Sequence, residues 1–271
     1  MLLREVEYAR PETVDEAVRL LASRDNARPL AGGQSLVNVM KVRVASPDVL
    51  VDLNRIPALR EIRAAGDGSL ELGAMVTYAE LIASEEAHAA RPILGEVALT
   101  IADVQVRNRG TIGGNICSSD PTNHFPPVLA ALQASMNIRG AESERTVSAG
   151  EFFEGVFVTA VSQGELLTKV MVPPRRTGQG DGFASLGVGR DGTGIVNVAA
   201  SVQDGNARIA IGCVSATPVV VTAAADEVAV RDAVRAAELD PPGDVHASAD
   251  HRRHLAEVLA VRALRQALEA A

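Results

Sequence analysis

Two glycine pairs set the strongest constraint on how this chain can fold. One lies in "PLAGGQSL", Pro29 to Leu36, and the other in "RNRGTIGGNICSSD", Arg107 to Asp120. Glycine has no Cβ, so consecutive glycines let neighbouring backbone N–H groups turn toward one point. Such a row of donors makes an anion-binding concavity, most often for phosphate. A single pair reads as a tight turn. Two pairs, each flanked by small hydroxyl or amide residues (Gln34 and Ser35, Thr111 and Asn115), point instead to one shared ligand. A diphosphate could be gripped from both sides without a lysine. The fold must then bring two distant loops together.

The segments around these runs carry clear helix and strand signals. Thr13 and Glu16 form a Thr-x-x-Glu capping box behind Pro11, and Val14, Ala17, Val18 and Leu21 follow on one face. "EVEYA" before this helix and "ARPLAGG" after it read as strands, which gives a β-α-β unit. "DVLVDL" and "SLELGAM" read as further strands. Thr77 and Glu80 open another helix, and "PILGEVALTIAD" reads as helical. Pro126 and Pro127 suit the first turn of a helix in "FPPVLAALQASMNI", with a strand after it. From "GELLTKVMVPP" onward the texture changes to β. Val196, Val198 and Ala200 alternate with Asn197, Ala199 and Ser201, and Ile209 and Ile211 alternate with Arg208, Ala210 and Gly212. Gly205-Asn206 reads as a hairpin turn. The last segment is a helix with Asp250 as its N-cap and Val258, Val261, Leu264 and Leu268 on one side.

Composition narrows the function classes. The chain has 271 residues, 47% of them hydrophobic, but no Trp, two Tyr and five Phe, so Ala, Val and Leu must fill the core. A formal net charge of −8 argues against a nucleic-acid surface. The two cysteines, Cys117 and Cys213, form no CxxC and cannot alone hold an iron–sulfur cluster or a thiolate zinc site. The N-terminus lacks the apolar core of a signal peptide, and no stretch approaches the ~18 apolar residues of a membrane helix. A reducing cytoplasm, free thiols and no membrane insertion are expected.

Three apparent motifs carry less than their spelling suggests. Gly187, Gly189 and Gly192 spell G-x-G-x-x-G, but the residues that follow alternate as a strand, so a hairpin turn is the better reading than a dinucleotide site. His251 and His254 lack a third metal ligand nearby. Cys117 lies beside Ser118, Ser119 and Asp120 but has no visible His–Asp arrangement, so a packed thiol is favoured over a nucleophile.

The two glycine stretches, read as "PLAGGQSLVNVMKVR" and "QVRNRGTIGGNICSSDP", resemble the FAD-binding stretches of the medium, flavin-carrying subunit of molybdenum hydroxylases. That family includes carbon monoxide dehydrogenases, bacterial xanthine dehydrogenases, N-heterocycle dehydrogenases and related aldehyde oxidoreductases. "LVDLNRIPALREI", "LELGAMVTYAEL", "ELLTKVMVP" and "DHRRHLAEVLAVRAL" fall in the family's order, so the likeness covers nearly the whole chain.

The resemblance implies an α+β fold. A two-subdomain FAD-binding domain of the vanillyl-alcohol-oxidase/PCMH type would span residues 1–54 and 55–165. A small C-terminal domain of antiparallel strands and helices would span 166–271. It implies non-covalent FAD, since neither glycine loop carries a His placed as a covalent anchor. Ala31, Gly32, Gly33, Gln34, Ser35 and Leu36 would supply one set of donors to the pyrophosphate. Thr111, Gly113, Gly114 and Asn115 would supply the second set. Ile101 and Ala102 would line the adenine side, Asp120 would approach the ribityl chain, and Leu166 or Lys169 would lie near the isoalloxazine ring. His124 stands where many members carry an Asp able to accept a ribityl hydroxyl. Ser185, Thr193 and His251 replace the family's usual Lys, aromatic residue and Tyr.

The function implied is that of an electron-transfer subunit without a catalytic acid or base of its own. A small subunit with [2Fe–2S] clusters and a large molybdopterin subunit would complete a heterotrimer, itself forming a dimer. The molybdenum cofactor and the clusters would sit on those partners. A stand-alone FAD-dependent oxidoreductase acting on its own small substrate is the alternative.

Overall fold

The computed structural model describes residues 3–189 and 192–271. Its first layer is a small parallel sheet. β1 (Glu7–Ala9) leads into α1 (Val14–Ala22), β2 (Ala27–Leu30), α2 (Leu36–Lys41) and β3 (Val49–Asp52). The strand order is β1-β3-β2, with both pairings parallel. Thr13 caps α1 by accepting from the Glu16 N–H at 3.2 Å. The Glu16 carboxylate reaches past Thr13 to the Glu12 N–H at 3.0 Å, so the expected box closes one residue early. Ala17, Val18 and Leu21 bury the inward face of α1 against Val49 and Val51.

The second layer holds most of the helices. It comprises β4 (Ile62–Ala64), β5 (Leu70–Gly73), α3 (Tyr78–Ala83), α4 (Glu85–Ala90), α5 (Pro92–Leu99), α6 (Val104–Arg107), α7 (Ile112–Ser118) and α8 (Phe125–Ala131). Then come β6 (Ser135–Arg139), β7 (Glu144–Ser148), α9 (Ala149–Phe152), β8 (Phe153–Gly155), β9 (Val158–Thr159) and β10 (Leu166–Val172). The five-stranded antiparallel sheet runs β4-β5-β10-β6-β7. At α3 the capping box is complete, with Thr77 and Glu80 bonding each other's backbone N–H. Helix α5 stops at Leu99, short of the expected Asp103, and Ala102 adopts φ +41 just beyond it.

The boundary expected between residues 165 and 166 falls at the start of β10, the central strand of this sheet. Leu166–Val172 therefore belongs with the second layer. Sequence texture misplaces it because a strand buried on both sides between distant partners looks like the β-rich segment that follows.

The third layer is an antiparallel meander of β11 (Gly180–Gly187), β12 (Gly194–Gln203), β13 (Asn206–Gly212) and β14 (Val219–Ala224), with α10 (Glu227–Ala236) and α11 (Ala249–Glu269). Pairing of Gly187 with Gly194 makes the glycine run after β11 a hairpin connection and rules out the Rossmann reading. Its residues 190 and 191 lie outside the described residues. The next hairpin turns on Asp204 (φ +50) and Gly205 (φ +72), one residue earlier than expected. Ser248, not Asp250, caps α11, accepting from the His251 N–H at 3.2 Å. The buried side of α11 is alanine-rich: Ala256, Ala260, Ala263 and Ala267 join Leu259 and Leu264, while Leu268 faces outward. Small side chains let the helix ride close over Gly180 and Gly182 of β11.

A buried ion pair ties the second layer to the third. Arg91, 1% exposed at the start of α5, bonds Asp181 of β11 at 2.7 Å and also donates to the Pro173 carbonyl. Removing one partner strands a buried charge. Asp181→Ala is expected to cost about 3–5 kcal/mol, read as a lowered denaturation midpoint, whereas substitutions of the exposed pair Arg253–Asp250 leave the midpoint in place.

Candidate functional site

The first glycine run leaves β2 and enters α2. Its carbonyl at Ala31 accepts from Asn54 Nδ2 at 3.1 Å. Asn54 is itself held: Asp52 Oδ1 accepts from its N–H at 2.9 Å and its Nδ2 at 2.6 Å, and Arg60 donates to its Oδ1 at 2.9 Å. Asp52 is buried at the end of β3, accepts from the Tyr8 hydroxyl and lies 3.5 Å from Arg10 Nε. Burial pulls its carboxyl pKa up, but hydrogen bonds from Tyr8 and Asn54 and the Arg10 charge outweigh that and hold it below the usual range. With Ala31 fixed, Gly33 turns the chain at φ +73. The backbone N–H groups of Gly32, Gly33, Gln34 and Ser35 take no partner among the described residues, and the Ser35 hydroxyl caps nothing. Four consecutive backbone donors without a partner form the kind of row that can bind an anion.

The second run is organised differently. Tyr78 N–H donates to Gly110 O and Ile112 N–H to Val76 O, which docks the loop on the start of α3. Gly113 N–H donates to Ala74 O at 2.9 Å, Gly114 N–H to Thr111 Oγ1 at 3.0 Å and Asn115 N–H to Thr111 O at 3.0 Å. The backbone donors expected from Gly113, Gly114 and Asn115 are thus engaged inside the protein, a correction to the sequence reading. Gly113 serves close packing: a Cβ there would lie 2.5 Å from Ala74 O. Among the described residues the Thr111 N–H and the buried Oδ1 of Asn115 take no partner.

The two runs meet. A Cβ on Gly32 would lie 2.0 Å from the Arg109 carbonyl oxygen and 3.0 Å from Gly110 Cα, and one on Gly114 would lie 3.6 Å from the Ala31 Cβ. Backbones this close require glycine on at least one side.

Downstream of the contact, α7 keeps Gly114 and Cys117 accessible one turn apart. Cys117 is exposed, yet the protein packed around it pushes its thiol up to about 12. Helix α7 ends at Ser119 (φ +43), and Asp120 Oδ1 accepts from the Thr122 N–H at 2.9 Å and hydroxyl at 2.7 Å, leaving Oδ2 free. Asn123 Nδ2 donates back to Asn115 O and Ser118 Oγ, both at 2.9 Å. His124 packs its ring 5.6 Å from that of Phe183 on β11, and burial drops its pKa to about 4. Ile101 and Ala102 turn their carbonyls to Arg107 Nη1 at 2.9 and 2.7 Å, just ahead of the second run.

Leu166 and Lys169, expected near the isoalloxazine ring, lie on β10. Leu166 is buried with Ala17 and Met75 in the first-layer core, and Lys169 pairs with Glu71 at 3.0 Å. Asp52, Asn54, Asn123 and Asn197 were missed as supports. Only Asp52 and Asn54, inside a stretch already noted, had a signal that could have found them.

Residues 4–175 match the family described as the FAD binding domain in molybdopterin dehydrogenase. The chain belongs to this family. It is 38% identical over 277 residues to the carbon monoxide dehydrogenase medium chain of Afipia carboxidovorans, covering 96% of each. It is 34% identical over 281 residues to the glyceraldehyde dehydrogenase medium chain of Sulfolobus acidocaldarius, covering 97% of this chain and 98% of that one. Among solved structures, a chain of the carbon monoxide dehydrogenase from Hydrogenophaga pseudoflava that lacks the Mo-pyranopterin moiety superposes with a TM-score of 0.94 at 35% identity, covering 100% of this chain and 99% of that one. The family cofactor is FAD, and the residues here fit it: the Gly32 to Ser35 N–H groups, without a partner among the described residues, can take the diphosphate, and the buried Asn115 Oδ1 can accept from a cofactor hydroxyl.

Two outcomes follow from this geometry. Gly32→Ala forces the loops apart and is expected to weaken FAD binding about 100-fold or more in a fluorescence titration, with the far-ultraviolet circular dichroism unchanged. His124, neutral in the fold, favours the native state above its ordinary pKa of about 6.5. That contribution is lost as pH falls from there through about 4. Thermal melts across this window should flatten in His124→Gln.

Proposed function

We propose that this chain is the FAD-carrying electron-transfer subunit of a heteromeric molybdenum hydroxylase. It takes electrons from [2Fe–2S] clusters on a small partner subunit and passes them to an external acceptor, while a large molybdopterin subunit oxidises the substrate. The observation that carries this is the full-length likeness to medium chains of enzymes named for chemically unrelated substrates, carbon monoxide and glyceraldehyde. One scaffold serving both supports the reading that substrate choice lies on another chain. A dimer of such heterotrimers in the cytoplasm completes the reading.

The roles of this chain's residues follow from the site. The Gly32 to Ser35 N–H groups and the Ser35 hydroxyl bind the diphosphate, with the Thr111 N–H on the opposite side, and the Asn115 Oδ1 accepts from a hydroxyl of the cofactor. Asp52, through Asn54, fixes the Ala31 carbonyl so that the donors that follow stay free of the chain. Ile101 and Ala102 line the adenine end. Asp120 Oδ2 and the His124 ring face the ribityl and ring portion, with His124 uncharged at neutral pH. FAD, when bound, supplies a centre that accepts electrons singly and releases them in pairs. The protein supplies binding, placement and tuning of potential.

The test is stepwise reduction. The chain alone, loaded with FAD, is expected to keep its flavin absorbance when candidate substrates are added without oxygen. Co-expression with its small and large partners should make bleaching substrate-dependent. Bleaching by substrate with no partner present would overturn the reading in favour of a self-sufficient oxidoreductase.

A further inference from the structure

The matched FAD-binding domain ends at residue 175, but the loop that carries Asp120 and His124 is held from beyond it. Asn197 lies on β12, opposite Ser185 of β11 and Gly212 of β13, and is 0% exposed. Its strand neighbours Val196, Val198, Ala199 and Ala200 are all buried apolar residues. An amide in such a strand is unfavourable by propensity and costs desolvation free energy. Its Oδ1 has no hydrogen-bond partner among the described residues. The Nδ2 donates to Thr122 O at 3.0 Å, Asn123 O at 3.4 Å and Cys213 Sγ at 3.4 Å. The opposite amide orientation would face an oxygen toward two carbonyls, so the contacts themselves fix it.

The contacts around Asn197 share one target. Cys213, strained at φ +67, donates its N–H to Pro121 O at 3.1 Å. Gly194 lies against the same point, where a Cβ would meet Asn197 Nδ2 at 2.6 Å and Thr122 O at 2.9 Å. From the other side, Asp120 holds Thr122, and Asn123 holds α7. Residues 121–123 are thus clamped between α7 and the C-terminal sheet. Asp120 Oδ2 takes no hydrogen bond among the described residues, and the His124 ring touches Phe183 of the same sheet.

We infer that Asn197 is a positioning residue for the flavin. Through the Thr122 and Asn123 carbonyls it sets how Asp120 and His124 meet the cofactor, so FAD affinity and potential depend on the C-terminal domain. The inference rests on the reading that Asp120 and His124 face the flavin.

The test uses the full chain stripped of FAD and titrated with it. Asn197→Leu keeps the volume and removes the donor. It is expected to raise the FAD Kd about tenfold, as loss of one or two buried hydrogen bonds implies, and to shift the flavin absorption bands and midpoint potential. Its FAD-free melting temperature should stay near wild type. Gly194→Ala pushes the amide and Thr122 apart without changing the amide, and is expected to act in the same direction. It carries the test if the Leu variant does not fold. A lowered FAD-free melting temperature with wild-type Kd, spectrum and potential means a structural role only and overturns the inference. A wild-type chain that takes up no FAD overturns the flavin reading itself, before Asn197 is at issue.

Discussion

The site depends on one backbone contact, that of Gly32 with Arg109 and Gly110. A β2 loop from a parallel sheet and an α7 loop from an antiparallel one have no secondary structure in common. They come together because one of them presents no side chain at the point of meeting. The first loop brings free donors, and the second brings a rigid, internally satisfied floor. Division of labour between a donor-rich and a donor-poor wall replaces the symmetrical cradle that the two similar sequences suggest.

Rigidity is supplied from behind by charge and amide groups. Asp52 and Asn54 fix one wall, and Asn123 and Asn197 steady the loop after the other. Neutral amides recur where a binding loop must be held without placing a charge beside a cofactor that itself changes charge. His124 fits the same pattern, since burial lowers its pKa to about 4 and leaves it unprotonated at neutral pH.

Much of this was legible in the residues because local signals agreed with the global arrangement. The Thr77–Glu80 box, the prolines ahead of α8 and the alternation in β12 and β13 each specify structure within a few residues. The glycine runs were legible as two loops that meet, since a Cβ at Gly32 would strike the Arg109 carbonyl. What could not be read is non-local. β10 carries no mark showing that it separates β5 from β6. Nothing in "TIGGN" says that its N–H groups are already taken by Ala74 and Thr111. Asn197 looks like one polar residue in an alternating strand until its partners are known.

The position of β10 also dictates an order of events. Its Thr168 carbonyl accepts from Ala74 N–H, and the Ala74 carbonyl in turn accepts from Gly113 N–H. Until Leu166–Val172 has emerged from the ribosome, β5 and β6 share no neighbour and the floor beneath the second glycine loop is unfinished. Closing a sheet through its middle strand is slow, non-local work. A chain truncated before this strand would lack the Thr168 carbonyl under Ala74, and with it the support beneath the second loop.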